Sequence, residues 1–258
     1  MNKGISFYFG FQQEPEVSAK MIKEAGFDCV ITSSDEKYKH QNGSLKEQVK
    51  LFKKYGLKHS SLHGRYDKNW SKSLWNKGVR GYFVYRKLVK DIKLAHKYGF
   101  TCVVMHLYGE PSQTGLVRLE KVLKYCEKYN IPLAIENIRK RDCVDYVFKN
   151  IENKYLKFCY DIGHNNAFAP NDDFLKDYGD RLYCLHLHDN MGEKDDHTLN
   201  KYGSINWKNF ASQLKRLNYT NNLDYEILMN VRDNETAEDV LKQVIVQAKE
   251  LEDMICKD

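Results

Sequence analysis

Short apolar runs and longer stretches of helical period alternate along the whole chain. The runs fall at Gly4–Phe9, Cys29–Thr32, His59–His63, Cys102–Leu107, Leu133–Asn137, Lys157–Asp161, Leu182–His188 and Tyr225–Met229. Each has the length of a strand and is bounded by polar or turn residues. Between them apolar positions recur on one helical stripe: Leu116, Leu119, Val122, Leu123 and Cys126, then Trp207, Phe210, Ala211, Leu214 and Leu217. Ala237, Val240, Leu241, Val244, Ile245, Ala248 and Leu251 make a last stripe. Several helices stop on one chemistry, in Ala25-Gly26-Phe27, Tyr55-Gly56-Leu57 and Tyr98-Gly99-Phe100, with Asn130 and Pro132 doing the same after Tyr129. A glycine or asparagine just past a helix end supplies the left-handed residue that halts it. Eight strands alternating with helices predict an α/β chain folded as a (β/α)8 TIM barrel, one domain over residues 1–258. An open doubly wound sheet is the competing architecture, but no Gly-x-Gly-x-x-Gly follows any strand.

Composition narrows the class. No apolar run approaches the roughly 20 residues that span a bilayer, and Met1-Asn2-Lys3-Gly4 leads into the first strand without a signal-peptide pattern. A cytoplasmic protein is expected. The seven cysteines contain no Cys-x-x-Cys, and Cys29, Cys102, Cys159 and Cys184 sit within apolar runs as small hydrophobes. That usage suits a reducing compartment. The formal charge of +6 reads as lysines scattered over exposed helix faces, with no concentrated basic stripe.

Chemistry collects where a barrel places its active site, at the C-terminal ends of the strands. His63 ends the third run, His106 lies near the end of the fourth, Glu136 ends the fifth and Asp161 the sixth, with His164 three residues on. His186 and His188 share one face of the seventh, because successive side chains of a strand alternate. Asp195 and His197 repeat that spacing in the following loop, and Glu226 lies in the eighth run. Only His40, His59 and His96 fall elsewhere. Carboxylates interrupting buried strands need a cation or a strong donor, so the cluster reads as a metal site. Imidazole and carboxylate together suit zinc or manganese. The aromatic stretch Arg65–Trp75 reads either as a lid or as a packed loop, and Ala167–Pro170 as a wall of the pocket. Arg139, Lys140 and Arg141 read as a solvated charge run in preference to a phosphate contact.

Leu-His after strand three, Met-His in strand four, Ile-Glu-Asn in strand five, Asp-Ile-Gly-His, His186-Leu187-His188-Asp189 leading to Asp195-Asp196-His197, and a last glutamate together resemble the xylose isomerase-like TIM-barrel superfamily. That group holds sugar and sugar-phosphate isomerases and epimerases alongside endonuclease IV. The resemblance implies one divalent ion on Glu136, Asp161, His186 and Glu226, with His188 and Asn137 as substrate contacts. Its endonuclease IV branch implies three zinc ions, adding His63, His106, His164, Asp195 and His197 as ligands. The expectation is therefore a metal-dependent isomerase or epimerase of a sugar or sugar phosphate, holding one to three ions of zinc or manganese. Glu136 and Glu226 would serve as base and acid through an enediolate stabilised by the metal. The alternatives are a multi-zinc phosphoesterase of phosphodiesters or abasic DNA, and a non-catalytic sugar-binding barrel. Nucleic acid is a partner only under the phosphoesterase reading, no membrane is expected, and family likeness implies a homo-oligomer.

Overall fold

In the computed structural model, which describes residues 1–228 and 235–257, the eight strands form one parallel sheet. They are β1 (Lys3–Ser6), β2 (Cys29–Ser33), β3 (Lys58–His63), β4 (Cys102–His106), β5 (Leu133–Glu136), β6 (Leu156–Asp161), β7 (Leu182–His186) and β8 (Leu223–Tyr225). Consecutive strands pair from β1 to β7, and β1 also pairs with β8. The ring closes where the Leu187 N–H donates to the Asp224 carbonyl and the Glu226 N–H to the Leu187 carbonyl, both at 2.9 Å. The fold is a TIM barrel.

The helices are α1 (Pro15–Ala25), α2 (Lys39–Asn42), α3 (Leu45–Tyr55), α4 (Lys68–Ser71), α5 (Val79–Tyr98), α6 (Gln113–Tyr129), α7 (Asp142–Asn150), α8 (Ile162–Phe168), α9 (Phe174–Tyr178), α10 (Trp207–Arg216) and α11 (Ala237–Cys256). Four of them stop as their sequences require: Gly26, Gly56, Gly99 and Asn130 all take positive φ, at 100°, 65°, 79° and 52°. Their apolar stripes pack on the outside of the sheet to make the main core. Among the described residues no helix is long and apolar enough to cross a membrane.

The eighth strand starts two residues before the run read from the sequence and stops at Tyr225; Met229, the predicted end, lies outside the described residues. An aspartate concealed the start. Asp224 is fully buried, accepting from the Ser60 hydroxyl and facing the Cys29 thiol at 3.7 Å. The first and seventh strands also end earlier than expected, at Ser6 and His186, although Phe7 still donates to Ile31.

Period-two alternation positions the site. Beneath His106 on the inner face lies Val104, beneath Glu136 Ala134, beneath Asp161 Cys159, and beneath His186 Cys184. With Cys102 these small side chains form their own buried cluster. A plug of small residues fills the barrel below, and the ligand-type side chains crown it.

Candidate metal centre

Ten imidazoles and carboxylates meet above that plug, in two lobes. The first is built on Glu136, which is 1% exposed. One of its oxygens, Oε2, faces His63 Nε2 at 3.2 Å, His106 Nε2 at 3.0 Å and His186 Nδ1 at 3.2 Å. His186 Nδ1 also lies 3.6 Å from Glu226 Oε1. The second lobe is built on Asp195, with His164 Nε2 at 3.2 Å, His197 Nε2 at 3.4 Å and His188 Nε2 at 3.5 Å. Asp161 and His164 join the lobes: His188 Nε2 is 3.1 Å and His164 Nδ1 3.6 Å from the Asp161 carboxylate, His164 Nδ1 also lies 3.2 Å from Glu136 Oε1, and Asp161 groups with His186 and Glu226.

Within these lobes four groups bring ligand atoms within 4.8 Å of one another: His63, Glu136 and His186; Glu136, Asp161 and His164; Asp161, His186 and Glu226; and His164, His188, Asp195 and His197. All nine predicted metal ligands are thus gathered at one barrel end, His106 through its contact with Glu136. His188, expected as a substrate contact, stands among the ligand-type groups of the second lobe. Asn137, expected likewise, has both ends of its amide engaged: its N–H donates to the Asp161 carbonyl and its oxygen accepts from the Asp161 N–H, each at 2.8 Å. It ties the end of β5 to the end of β6.

Two observations fit a divalent ion. First, three imidazoles have a fixed tautomer. The Nδ1–H of His63 donates to the Gly64 carbonyl (2.8 Å), that of His164 to Asn137 (2.9 Å) and that of His197 to Glu226 (2.7 Å). Each leaves Nε2 aimed into the cluster, the arrangement by which backbone carbonyls orient metal-ligating histidines. Second, both ring nitrogens of His106 and of His186, Nδ1 of His188, Oε1 of Glu136 and Oδ1 of Asp195 are buried with no well-aligned hydrogen-bond partner among the described residues. Buried polar atoms without partners are costly, and a cation ligated among them would satisfy many at once.

The electrostatics point the same way. Burial pushes the Glu136 carboxyl up, yet the imidazoles of His106 and His186 hold it well below the usual carboxylate range. Asp161 is lowered against its burial by His164 and His188, and Asp195 is lowered against burial by the facing imidazoles of His164 and His197. In return, and also against burial, Asp161 and Asp195 raise His164 well above its ordinary value, Glu226 and Glu136 do so for His186, and Asp195 takes His197 to about 9. The carboxylates stay ionised because positive charge faces them, a service a divalent ion performs better than shared protons.

Some contributors were not read from the sequence. Asp189 is fully buried and accepts from the N–H groups of Ser204 (3.0 Å) and Ile205 (3.2 Å) and from Trp207 Nε1 (2.7 Å). With the Asp189–Thr198 bridge it pins the loop carrying Asp195 and His197. His197 itself takes φ +49°, sparsely populated for a side chain of this size, and its ring stacks on His188 at 3.8 Å. Gly163 leaves room for the His188 ring, whose Cε1 would lie 1.9 Å from a Cβ at that position.

At the mouth, Tyr66 sets its ring 5.4 Å from His63. The rest of the aromatic stretch is a packed segment: Ser71 donates to the His106 carbonyl at 2.6 Å, Trp75 to the Tyr108 carbonyl at 2.9 Å, and Leu74 and Trp75 are buried. The solvated reading of the basic run fails at Arg141, which pairs with Asp145, Asp172 and Asp177. Arg139 lies 4.1 Å over the Phe168 ring.

The xylose isomerase-like TIM barrel family matches residues 19–245. The uncharacterized protein y4fM of Sinorhizobium fredii is 26% identical over 251 residues, covering 83% of this chain and 81% of its own. Among solved structures, a D-tagatose 3-epimerase-like protein superposes with a TM-score of 0.77 at 20% identity, covering 99% of this chain and 98% of its own. A D-allulose 3-epimerase from Methylomonas sp., in complex with D-allulose, does so with a TM-score of 0.73 at 12% identity and 96% coverage of both chains. At these identities the structural likeness is one of fold.

Proposed function

Because the chain belongs to the xylose isomerase-like TIM-barrel family, we propose that it is a divalent-metal-dependent isomerase or epimerase of a sugar or sugar phosphate. The observation that carries this reading is the convergence of Glu136, Asp161, His186 and Glu226 at the barrel mouth, with buried ligand atoms left unpartnered. A bound ion would polarise a substrate carbonyl and offset the negative charge that grows on proton removal. The protein supplies the proton traffic. Glu136, held ionised, is a base ready to take a proton from a carbon lodged above it. Glu226, its side chain 16% exposed at the rim, would return one from the other side. Asp161 and His186 would hold the ion with the two glutamates, while Tyr66 walls the mouth.

The test is exchange of substrate C–H hydrogen with solvent deuterium across a panel of ketoses and their phosphates. Glu226→Gln and Glu136→Gln should each lower turnover by roughly 10²–10⁴-fold, the usual worth of a positioned acid or base. Undiminished turnover in either variant would sink the reading.

A second reading, a multi-zinc phosphoesterase, is favoured by one feature: a single ion on the quartet leaves His63, His106 and the whole Asp195 lobe without a task. It predicts two or three zinc ions per chain and hydrolysis of phosphodiesters or abasic DNA. Elemental analysis finding about one ion per active chain would remove it.

A further inference from the structure

The even scatter of lysines expected from the sequence is corrected by α5. That helix carries Arg80, Arg86, Lys87, Lys90, Lys93 and Lys97 against one acidic residue, Asp91, which is fully buried. The charges on its exposed side are therefore all cationic. On α11, in contrast, five carboxylates outnumber two lysines. The basic charge is unevenly divided over the outer wall, with α5 among its cationic parts and α11 an acidic one.

Between α5 and α6, outside the barrel, runs an open cleft of about 790 Å³ lined by six Lys or Arg and three Tyr, with no carboxylate among the described residues. Two of the six cations are committed to the fold. Lys87 pairs with Asp91 and the Ser34 hydroxyl, both at 2.6 Å, and Arg118 donates to the carbonyls of Leu74 (2.5 Å) and Asn76 (2.6 Å). The other four are differently placed. Arg86, Lys90 and Lys93 stand at i, i+4 and i+7 on one face of α5, and Lys121 faces them from α6. Lys90 has a loose partner in Glu36 at 3.9 Å, and both side chains are well exposed. Aromatic rings are interleaved with the charges: Arg86 lies over Tyr82 at 5.8 Å and Lys93 over Tyr125 at 5.5 Å. Tyr82 is 46% exposed, and its neighbour Phe83 53%.

A single phosphate is best held by donors that converge on one point. Here the donors are strung along about 10 Å of helix, at 1.5 Å per residue. A row of cations beside exposed aromatic faces matches a chain with repeating negative charge and flat apolar groups between the charges. We propose that the α5–α6 cleft binds single-stranded nucleic acid, its phosphates along Arg86, Lys90, Lys93 and Lys121 and its bases against Tyr82 and Tyr125. The site is separate from the metal centre and does not rest on the function proposed for it.

The test is fluorescence anisotropy with a labelled oligothymidylate of about 20 nucleotides, a length chosen to exceed the site sizes of single-strand binders, titrated at several salt concentrations. The protein variants are Lys90→Gln/Lys93→Gln/Lys121→Gln and Tyr82→Ala, with unchanged melting and metal content as checks of the fold. The triple variant should bind at least tenfold more weakly, with the log–log salt slope reduced by about 2, since each lost phosphate contact on a single strand removes about 0.7. Tyr82→Ala should weaken binding by about tenfold through lost stacking. Three results would overturn the proposal: no binding by the unaltered protein at low salt, unchanged binding by the triple variant, or competition by poly-glutamate at matched charge as strong as by oligothymidylate. The last would make the cleft a surface for acidic peptides.

Discussion

Gly163 shows how finely the second lobe is fitted. A Cβ there would lie 1.9 Å from Cε1 of His188 and 2.3 Å from its Nδ1, so the ring must move or tilt. Gly163→Ala is expected to weaken metal binding by roughly 10–100-fold, the usual cost of disturbing a group that orients a ligand, while the outer wall of the barrel keeps its packing. Calorimetric titration with zinc and with manganese reads this directly; an unaltered affinity would mean that His188 takes no part in holding the ion. The residues of the cluster were legible in the sequence as candidate ligands because strand alternation puts one inward side chain at each strand end, where an imidazole or carboxylate stands out against an apolar run. The need for glycine at position 163 was not legible, nor was the work of Asp189, because each depends on a side chain brought in from another strand or loop. The division into two lobes escaped for the same reason. His186 and His188 share a face, but whether each turns to Glu136 or to Asp195 is decided by neighbours far away in the chain.

At the level of elements, helix stops carried the topology. Glycine at the ends of α1, α3 and α5 and asparagine at the end of α6 set the repeat, and all four take the left-handed conformation. Gly56 isolates the cost of that conformation, since among the described residues nothing lies within 4 Å of a Cβ placed there. Gly56→Ala should destabilise the protein by about 1–2 kcal/mol through backbone strain alone, and Gly56→Asn by clearly less, because asparagine tolerates the region better. Urea unfolding at fixed metal concentration measures both. Equal stability of all three proteins would mean that the helix ends elsewhere in solution. Where a strand carries its own buried acid, patterning fails: Asp224 made the beginning of β8 look like a polar connection, yet its carboxyl is enclosed by Ser60 and Cys29 inside the barrel. Charge patterning failed on α5 too. The composition is only mildly basic, and the concentration shows once the turn of the helix sends Asp91 inward and the lysines outward.

Across the whole molecule, metal and protons compete for one set of side chains, and the competition has a sign. His164 and His186 are raised well above their ordinary values and His197 to about 9, each by facing carboxylates that outweigh burial. In the metal-free protein these raised values stabilise the fold fully at pH below about 6.5, the unfolded imidazole value. That stability is lost as pH rises through the folded values, because the native state then gives up protons the unfolded state has already lost. In the metal-loaded protein the trend reverses, since ligating imidazoles must be deprotonated and affinity grows as pH rises. A free ion at a hundred times its dissociation constant adds about 2.7 kcal/mol of stability per site. The melting temperatures of chelator-treated and metal-saturated protein should therefore lie close together near pH 6 and separate steadily towards pH 9. Differential scanning calorimetry across that range reads the gap. Parallel curves would mean that the imidazoles of the second lobe are not exchanged between protons and metal, and would confine the ion to the quartet of Glu136, Asp161, His186 and Glu226.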